Sequence, residues 1–183
     1  MIRVVINFYF CSSLLQDIMF EKRDSKRTSI EALGEFGLID HLTKDIKIKQ
    51  PTTICGVGDD TAVIDAGENY MLVTKDLLLE GIHFDLSFYP LKHLGYKAIA
   101  VNLSDIYAMN GTPRQVVVGL GLSSKFPLEA IEELYKGMYA ACEKYGVDLV
   151  GGDTTSSLRG LFISVTAVGS VDKDKITYRG PAA

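Results

Sequence analysis

The sequence predicts an α+β domain: a mixed or antiparallel sheet with two long helices packed on one face. Three observations carry that class. Short β-rich runs recur with glycine, asparagine and aspartate between them. Two segments, near residues 94–111 and 126–146, carry helical periodicity instead. The order of strands, helix, strand, helix, strand, strand lacks the strict βαβ alternation of a doubly wound fold. With 183 residues, 47% apolar and 23% charged, the chain has material for one large domain, or one domain and a fragment.

At the N-terminus, "MIRVVINFYFCSSLLQDIMF" holds an apolar stretch, Val4 to Cys11, too short to span a bilayer. One basic residue precedes it and no small-x-small cleavage site follows, so it makes a poor export signal. Met19 is an alternative start that would leave the first 18 residues outside the natural chain; an extra strand or helix is the other reading. Residues 1–27 are expected to form an N-terminal extension and residues 28–183 the domain.

"TSIEALGEFGLIDHLTKD" opens with Thr28 and Glu31 at capping-box spacing. Ile30, Phe36, Ile39 and Leu42 give a partial apolar stripe interrupted by Gly34 and Gly37, which predicts a flexible arm and a short helix. Thr53–Val57, Ala62–Ala66 and Tyr70–Thr74 read as strands, joined by "GDD" and the turn "AGEN". In "LGYKAIAVNLSDIYAMNG", Ala98, Val101, Asn102, Asp105, Ala108 and Met109 share one helical face, and Ile99, Leu103 and Ile106 fill the neighbouring rows. A helix apolar almost all round is buried, which sets Asn102 and Asp105 one turn apart in apolar surroundings.

"QVVVGLGLS" alternates as a strand, and "FPLEAIEELYKGMYAACEKYG" is a second, amphipathic helix with Leu128, Ile131, Leu134, Met138, Ala141, Cys142 and Tyr145 turned to the core. "VDLVGGDTTSS" reads as a strand running into a Gly-Gly-Asp-Thr-Thr turn, and "LFISVTAVGSVD" as the last strand.

A net charge of −4 supplies no basic field for a nucleic-acid backbone. The balance fits a cytoplasmic protein with neither nucleic-acid nor membrane partners. Cys11, Cys55 and Cys142 form no CxxC pair, which supports neither a zinc site nor a disulfide framework and suits a reduced compartment.

The chemistry concentrates in aspartates. Asp59-Asp60 in "GDDTAV", Asp76 in "VTKD", Asp105 in "NLSDIYAM" and Asp153 in "GGDTT" each stand where an apolar element meets glycine or another polar residue. Carboxylates gathered in one place repel unless a cation neutralises them, and oxygen ligands without cysteine or clustered histidine select Mg²⁺. Mg²⁺ commonly completes its shell with phosphate oxygens, so the set points to phosphoryl transfer. Gly151 and Gly152 lack a Cβ and let backbone N–H groups approach a phosphate, beside the Thr154 and Thr155 hydroxyls. Neither GxxxxGK[ST] nor GxGxxG before a helix occurs. Each aspartate taken alone is as readily a turn residue bonding its own backbone.

Together, "GVGDDTAVI", "VTKDLLLEGIHF", "YKAIAVNLSDIYAMNGTP", "LVGGDTTSS" and "ITYRG" resemble the thiamine-monophosphate kinases. These belong to the superfamily of aminoimidazole ribonucleotide synthetase, selenophosphate synthetase and the hydrogenase maturation factor that handles carbamoyl phosphate. The resemblance implies transfer of the γ-phosphoryl of ATP to thiamine phosphate, giving thiamine diphosphate. It implies Asp60, Asp76, Asp105 and Asp153 as Mg²⁺ ligands with Thr74, and Asp59 and the Lys75 backbone as further candidates. Asp59 has the alternative of orienting its neighbour or bonding turn amides. Gly152, Asp153 and Arg179 match ATP contacts, and His83 matches a substrate contact. The implied assembly is a homodimer with the active site near the subunit interface.

The acceptor is already anionic, so no general base is expected. The chain departs from the family at Lys75, where a hydroxyl residue is frequent. It also ends at "YRGPAA", where the family continues into a second α+β domain that is absent here. The expectation is an N-terminal half with weak metal and nucleotide binding and little turnover alone. Another ATP-using enzyme of the superfamily, or an inactive dimerising or nucleotide-binding module, are the rival readings.

Overall fold

A computed structural model of the chain describes residues 29–180. The extension over 1–27, the alternative start at Met19, and Cys11 lie outside the described residues. The chain divides into two compact units, Met1–Ile46 and Lys47–Ala183.

The described part of the first unit is a 3₁₀ turn, Ile30–Ala32, followed by helix α1, Gly34–Thr43. No side chain caps either start. The capping-box expectation rests on Thr28, which lies outside the described residues; Gly34, with φ of +63°, marks the step from the 3₁₀ turn into α1. Ile30, Phe36 and Leu42 are exposed, so the partial stripe is not a buried face.

The second unit contains β1 (Thr53–Cys55), β2 (Ala62–Asp65), β3 (Asn69–Leu79), α2 (Leu91–Ala108), β4 (Thr112–Leu122), α3 (Leu128–Tyr145), β5 (Asp148–Ser156) and β6 (Leu161–Asp172). The six strands form one sheet in the order β1-β2-β3-β6-β4-β5. All neighbours are antiparallel except β4 and β5, which run parallel because α3 carries the chain back between them. The predicted α+β class and mixed sheet are what the chain adopts.

Alternation along β6 defines the core face. Leu161, Ile163, Val165, Ala167 and Val171 are buried, and they pair with Tyr70, Thr74, Asp76 and Leu78 on β3 or with Val116, Val118, Leu120 and Leu122 on β4. Helix α2 lies across β3, β6 and β4 through Ala98, Ile99, Leu103 and Ile106, and α3 packs on α2 through Leu134, Met138 and Ala141. Cys142 joins that core, as its place on the helix predicted. The helices meet at two glycines: a Cβ on Gly95 would lie 1.9 Å from the Leu134 carbonyl oxygen, and one on Gly137 1.8 Å from that of Lys92.

Three expectations need correction. Strand β3 does not stop at Thr74 but runs to Leu79, because β6 pairs with it along its whole length. The Gly-Gly-Asp-Thr-Thr segment is not a turn but the body of β5, held by β4 from Gly151 to Ser156. Helix α2 is not buried all round: Ser104, Tyr107 and Ala108 in its last turns are exposed. No helix among the described residues is long and apolar enough to cross a membrane.

Candidate functional site

Three separate segments bring polar groups to one edge of the sheet. The β1–β2 loop supplies Asp59 and Asp60, β3 supplies Thr74 and Asp76, and the end of α2 supplies Asn102 and Asp105. The loop is anchored from below, where the buried Thr61 hydroxyl donates to Met109 Sδ at 3.2 Å. Strand β2 pairs with β3 only as far as Val73, so from Thr74 onward that edge of β3 has no strand beside it. Side chains of α2 take the place of the missing strand. The Asp76 N–H donates to Asn102 Oδ1 at 3.0 Å, and the Thr74 hydroxyl donates to Asp105 Oδ2 at 2.8 Å.

Asp59 works within its own loop. Its Oδ1 accepts the Asp60 N–H at 2.8 Å, and its Oδ2 accepts the Arg179 N–H at 2.9 Å. The Arg179 guanidinium pairs with the Asp60 carboxylate. The segment carrying Arg179 is tied down along its length: Asn110 Nδ2 donates to the Lys175 carbonyl at 2.8 Å and the Thr177 N–H to the Met109 carbonyl at 3.2 Å.

The electrostatics match a crowded carboxylate site. Asp105 is half-buried, and burial holds its pKa above the ordinary carboxylate value. The Thr74 hydrogen bond pulls the other way, the negative charges of Asp76 and Asp60 push it further up, and Arg179 pulls it down. Asp76 is likewise raised by burial and eased by His83. Asp60, Asp76 and Asp105 therefore feel one another or share neighbours, and Arg179 is the cation among them.

His83 follows β3 in a tight turn. Its Nδ1 accepts the Leu79 N–H at 3.0 Å, and its carbonyl accepts from Lys97 Nζ at 3.0 Å. His41 and His93 are exposed.

Asp153 is not brought to the others. Asp76 lies in the row that continues through Val165 of β6 and Val118 of β4 to Gly152 of β5. Asp153 lies in the next row, with Gly119, Ser164 and Leu77, and alternate residues face opposite sides of a sheet. Three strand spacings separate β5 from β3, about 14 Å. Within one chain Asp153 is thus on the far face.

Two further residues are constrained by the sheet itself. Lys75 is exposed on the face opposite Thr74 and Asp76. Because the Asp76 N–H leaves the strand on the α2 side, the Lys75 N–H and C=O turn to β6 and are spent in the ladder. Gly152 is small for a packing reason: a Cβ there would lie 1.7 Å from the Val118 carbonyl oxygen.

Among the described residues, no three Asp, Glu, His or Cys side chains are drawn together tightly enough to hold a metal ion. The donor types nonetheless suit a hard cation, since Asp60, Asp76, Asp105 and Thr74 offer only oxygen. Asn102 was visible in the sequence as an amide on an apolar helix, but its link to Asp76 was not. Thr61 gave no signal beyond its place after the two aspartates.

Residues 58–171, which span all of these positions except Arg179, match the family described as AIR synthase related protein, N-terminal domain. The chain belongs to that family. Similar proteins include the thiamine-monophosphate kinase of Bacillus subtilis, 36% identical over 151 residues, covering 82% of this chain and 46% of the relative. That of Aquifex aeolicus is 38% identical over 144 residues, covering 79% and 44%. A solved structure described as AaThiL complexed with AMPPCP and TMP superposes with a TM-score of 0.75 at 35% identity, over 87% of this chain and 48% of that one. The chain spans about half the length of the relatives it matches.

Proposed function

We propose that the chain is the metal- and nucleotide-binding part of a thiamine-phosphate kinase, which moves the γ-phosphoryl group of ATP onto thiamine phosphate. The observation that supports this is that Asp105, bonded to Thr74, feels the charges of Asp76 and Asp60, so that three segments far apart in sequence bring carboxylates within electrostatic reach of one another. Relatives named thiamine-monophosphate kinase support the choice of substrate.

In this reading Asp60, Asp76, Asp105 and Thr74 hold Mg²⁺, which neutralises phosphate charge when bound. Asp59 holds the loop rather than the ion. Arg179 exchanges its Asp60 partner for a nucleotide phosphate, a planar guanidinium being suited to either. His83, beside Asp76, faces the acceptor. The acceptor phosphate is its own nucleophile and needs no base from the chain.

The active assembly is a homodimer. The sheet face away from the helices exposes Leu77, Leu79 and Val117, at 50%, 41% and 38%, and Asp153 belongs to the same face. A second copy laid on this face covers the apolar side chains and offers Asp153, with Gly152, to the partner's bound nucleotide.

Calorimetric titration of a non-hydrolysable ATP analogue tests the reading. Binding is expected with Mg²⁺, is expected to disappear without it, and is expected to weaken in D60N, D76N and D105N. Equal binding with and without Mg²⁺ would remove the basis for the proposal.

A further inference from the structure

We infer that Asn102 is a positioning residue for the carboxylate site: its side chain sets the spacing between Asp76 and Asp105 by standing in for the strand that β3 lacks. The inference rests on the metal-binding reading above and adds to it a residue that itself binds neither metal nor nucleotide.

Asn102 is fully buried, and both ends of its amide are used. Nδ2 donates to the Ala98 carbonyl one turn back at 2.9 Å, which fixes the amide's orientation, and Oδ1 accepts the Asp76 N–H at 3.0 Å. The need for that acceptor is topological. Strand β2 leaves β3 at Val73, and β6 occupies the other edge, so the outward N–H of Asp76 has no backbone partner available. A part-buried amide N–H without a partner gives up its bond to water for nothing in return, and an acceptor from α2 removes that cost.

Thr74 and Asp105 form a second link of the same kind. The two bonds lie two residues apart on β3 and three apart on α2, so strand and helix are joined in one register. Slippage by a single residue would turn Asp76 to the opposite face. Hydrogen bonds two residues apart suffice for register, and both are part-buried, but only the Asn102 bond uses neither a carboxylate nor a hydroxyl oxygen that a cation would need. The Thr74–Asp105 bond involves groups that also have to serve a cation. Asn102 therefore keeps the geometry when Thr74 and Asp105 turn to an ion.

Outer partners that orient metal ligands change affinity by about 10–100-fold when lost. The test uses Mn²⁺ as the probe, read by electron paramagnetic resonance of the free ion, on the full chain. Asn102→Leu, close in volume but without an acceptor, is expected to weaken Mn²⁺ binding about 10-fold or more. The Asp76 amide, protected from hydrogen exchange in the parent, is expected to exchange freely in N102L. Leu103→Ala, a neighbouring core truncation on the same helix, is expected to lower the melting temperature while leaving Mn²⁺ affinity within about 2-fold. Should N102L not fold, N102A removes the same acceptor with a smaller side chain and carries the same expectation.

D76N separates the two readings. If D76N binds Mn²⁺ as the parent does, the metal-site reading itself fails. If D76N loses binding while the Asn102 variant binds normally, or while L103A loses as much as the Asn102 variant, the positioning role is overturned and the site stands without it.

Discussion

Arg179 holds the β1–β2 loop twice, its guanidinium on the Asp60 carboxylate and its backbone N–H on Asp59 Oδ2 at 2.9 Å. A guanidinium on a candidate ligand competes with a divalent cation for the same oxygens. R179Q is therefore expected to bind Mn²⁺ more tightly than the parent in the absence of nucleotide, by a few-fold, and to bind the Mg²⁺–ATP analogue more weakly. The pair is partly exposed, so its loss is expected to cost less than about 1 kcal/mol in metal-free stability. Mn²⁺ titration and calorimetry on the same variant check both directions; weaker binding of both ligands would contradict the competition.

Asp76 and Asp105 give the metal-free protein a definite pH dependence. Burial raises both pKa values above the unfolded value of 3.8, so between the unfolded and folded pKa the folded state binds more protons than the unfolded one. Stability contributed by these two groups thus falls as pH rises through that window and stays lower at neutral pH. D105N, whose amide still accepts from Thr74, is expected to melt above the parent at pH 7 without metal. The gain is roughly 2–4 °C if it amounts to about 1 kcal/mol, and it vanishes near pH 4. Saturating Mg²⁺ is expected to reverse the order of the two proteins. Thermal melts at the two pH values, with and without Mg²⁺, provide the check.

Gly95 and Gly137 set the distance between α2 and α3. Each lets its helix approach the other's carbonyl closer than any Cβ allows, and the obstructing atoms are backbone, so neither side can yield by a rotamer change. G95A and G137A are each expected to destabilise by about 1–3 kcal/mol or more. The double variant is expected to cost less than the sum, since one separation of the helices relieves both clashes. Urea denaturation of the single and double variants measures this.

Asp153 gives a test of the dimer. It lies on the far face of the sheet from Asp76, so the proposed site draws the two from different chains. D76N and D153N homodimers are each expected to bind the Mg²⁺–ATP analogue weakly. Co-refolded mixtures are expected to recover one intact site per heterodimer, about a quarter of parental capacity when subunits pair at random. No recovery in a verified heterodimer would contradict sharing across the interface.

Much of the fold was legible because alternation and helical periodicity report directly on which face is buried. The strands from Ala62 to Asp65 and from Leu161 to Asp172, and both long helices, follow from that signal. The start of β5 was legible, but its continuation from Gly151 to Ser156 was not, because those residues are exposed on both faces and begin with two glycines, which leaves no alternation to read. Asp60, Asp76 and Asp105 could be singled out because a carboxylate against apolar sequence is unusual. Their relation to Arg179, and the exclusion of Asp153 from the same face, depend on strand order and register, which no local pattern encodes. Gly95 and Gly137 likewise look like ordinary helix interruptions until the second helix is beside them.

The most direct measurement is an anomalous-difference map from crystals grown with Mn²⁺ and an ATP analogue. A peak about 2.0–2.3 Å from carboxylate oxygens of Asp60, Asp76 and Asp105, with Arg179 withdrawn to the phosphates, is the predicted result. A nucleotide bound with no metal peak at these three aspartates, and Arg179 still on Asp60, would contradict it.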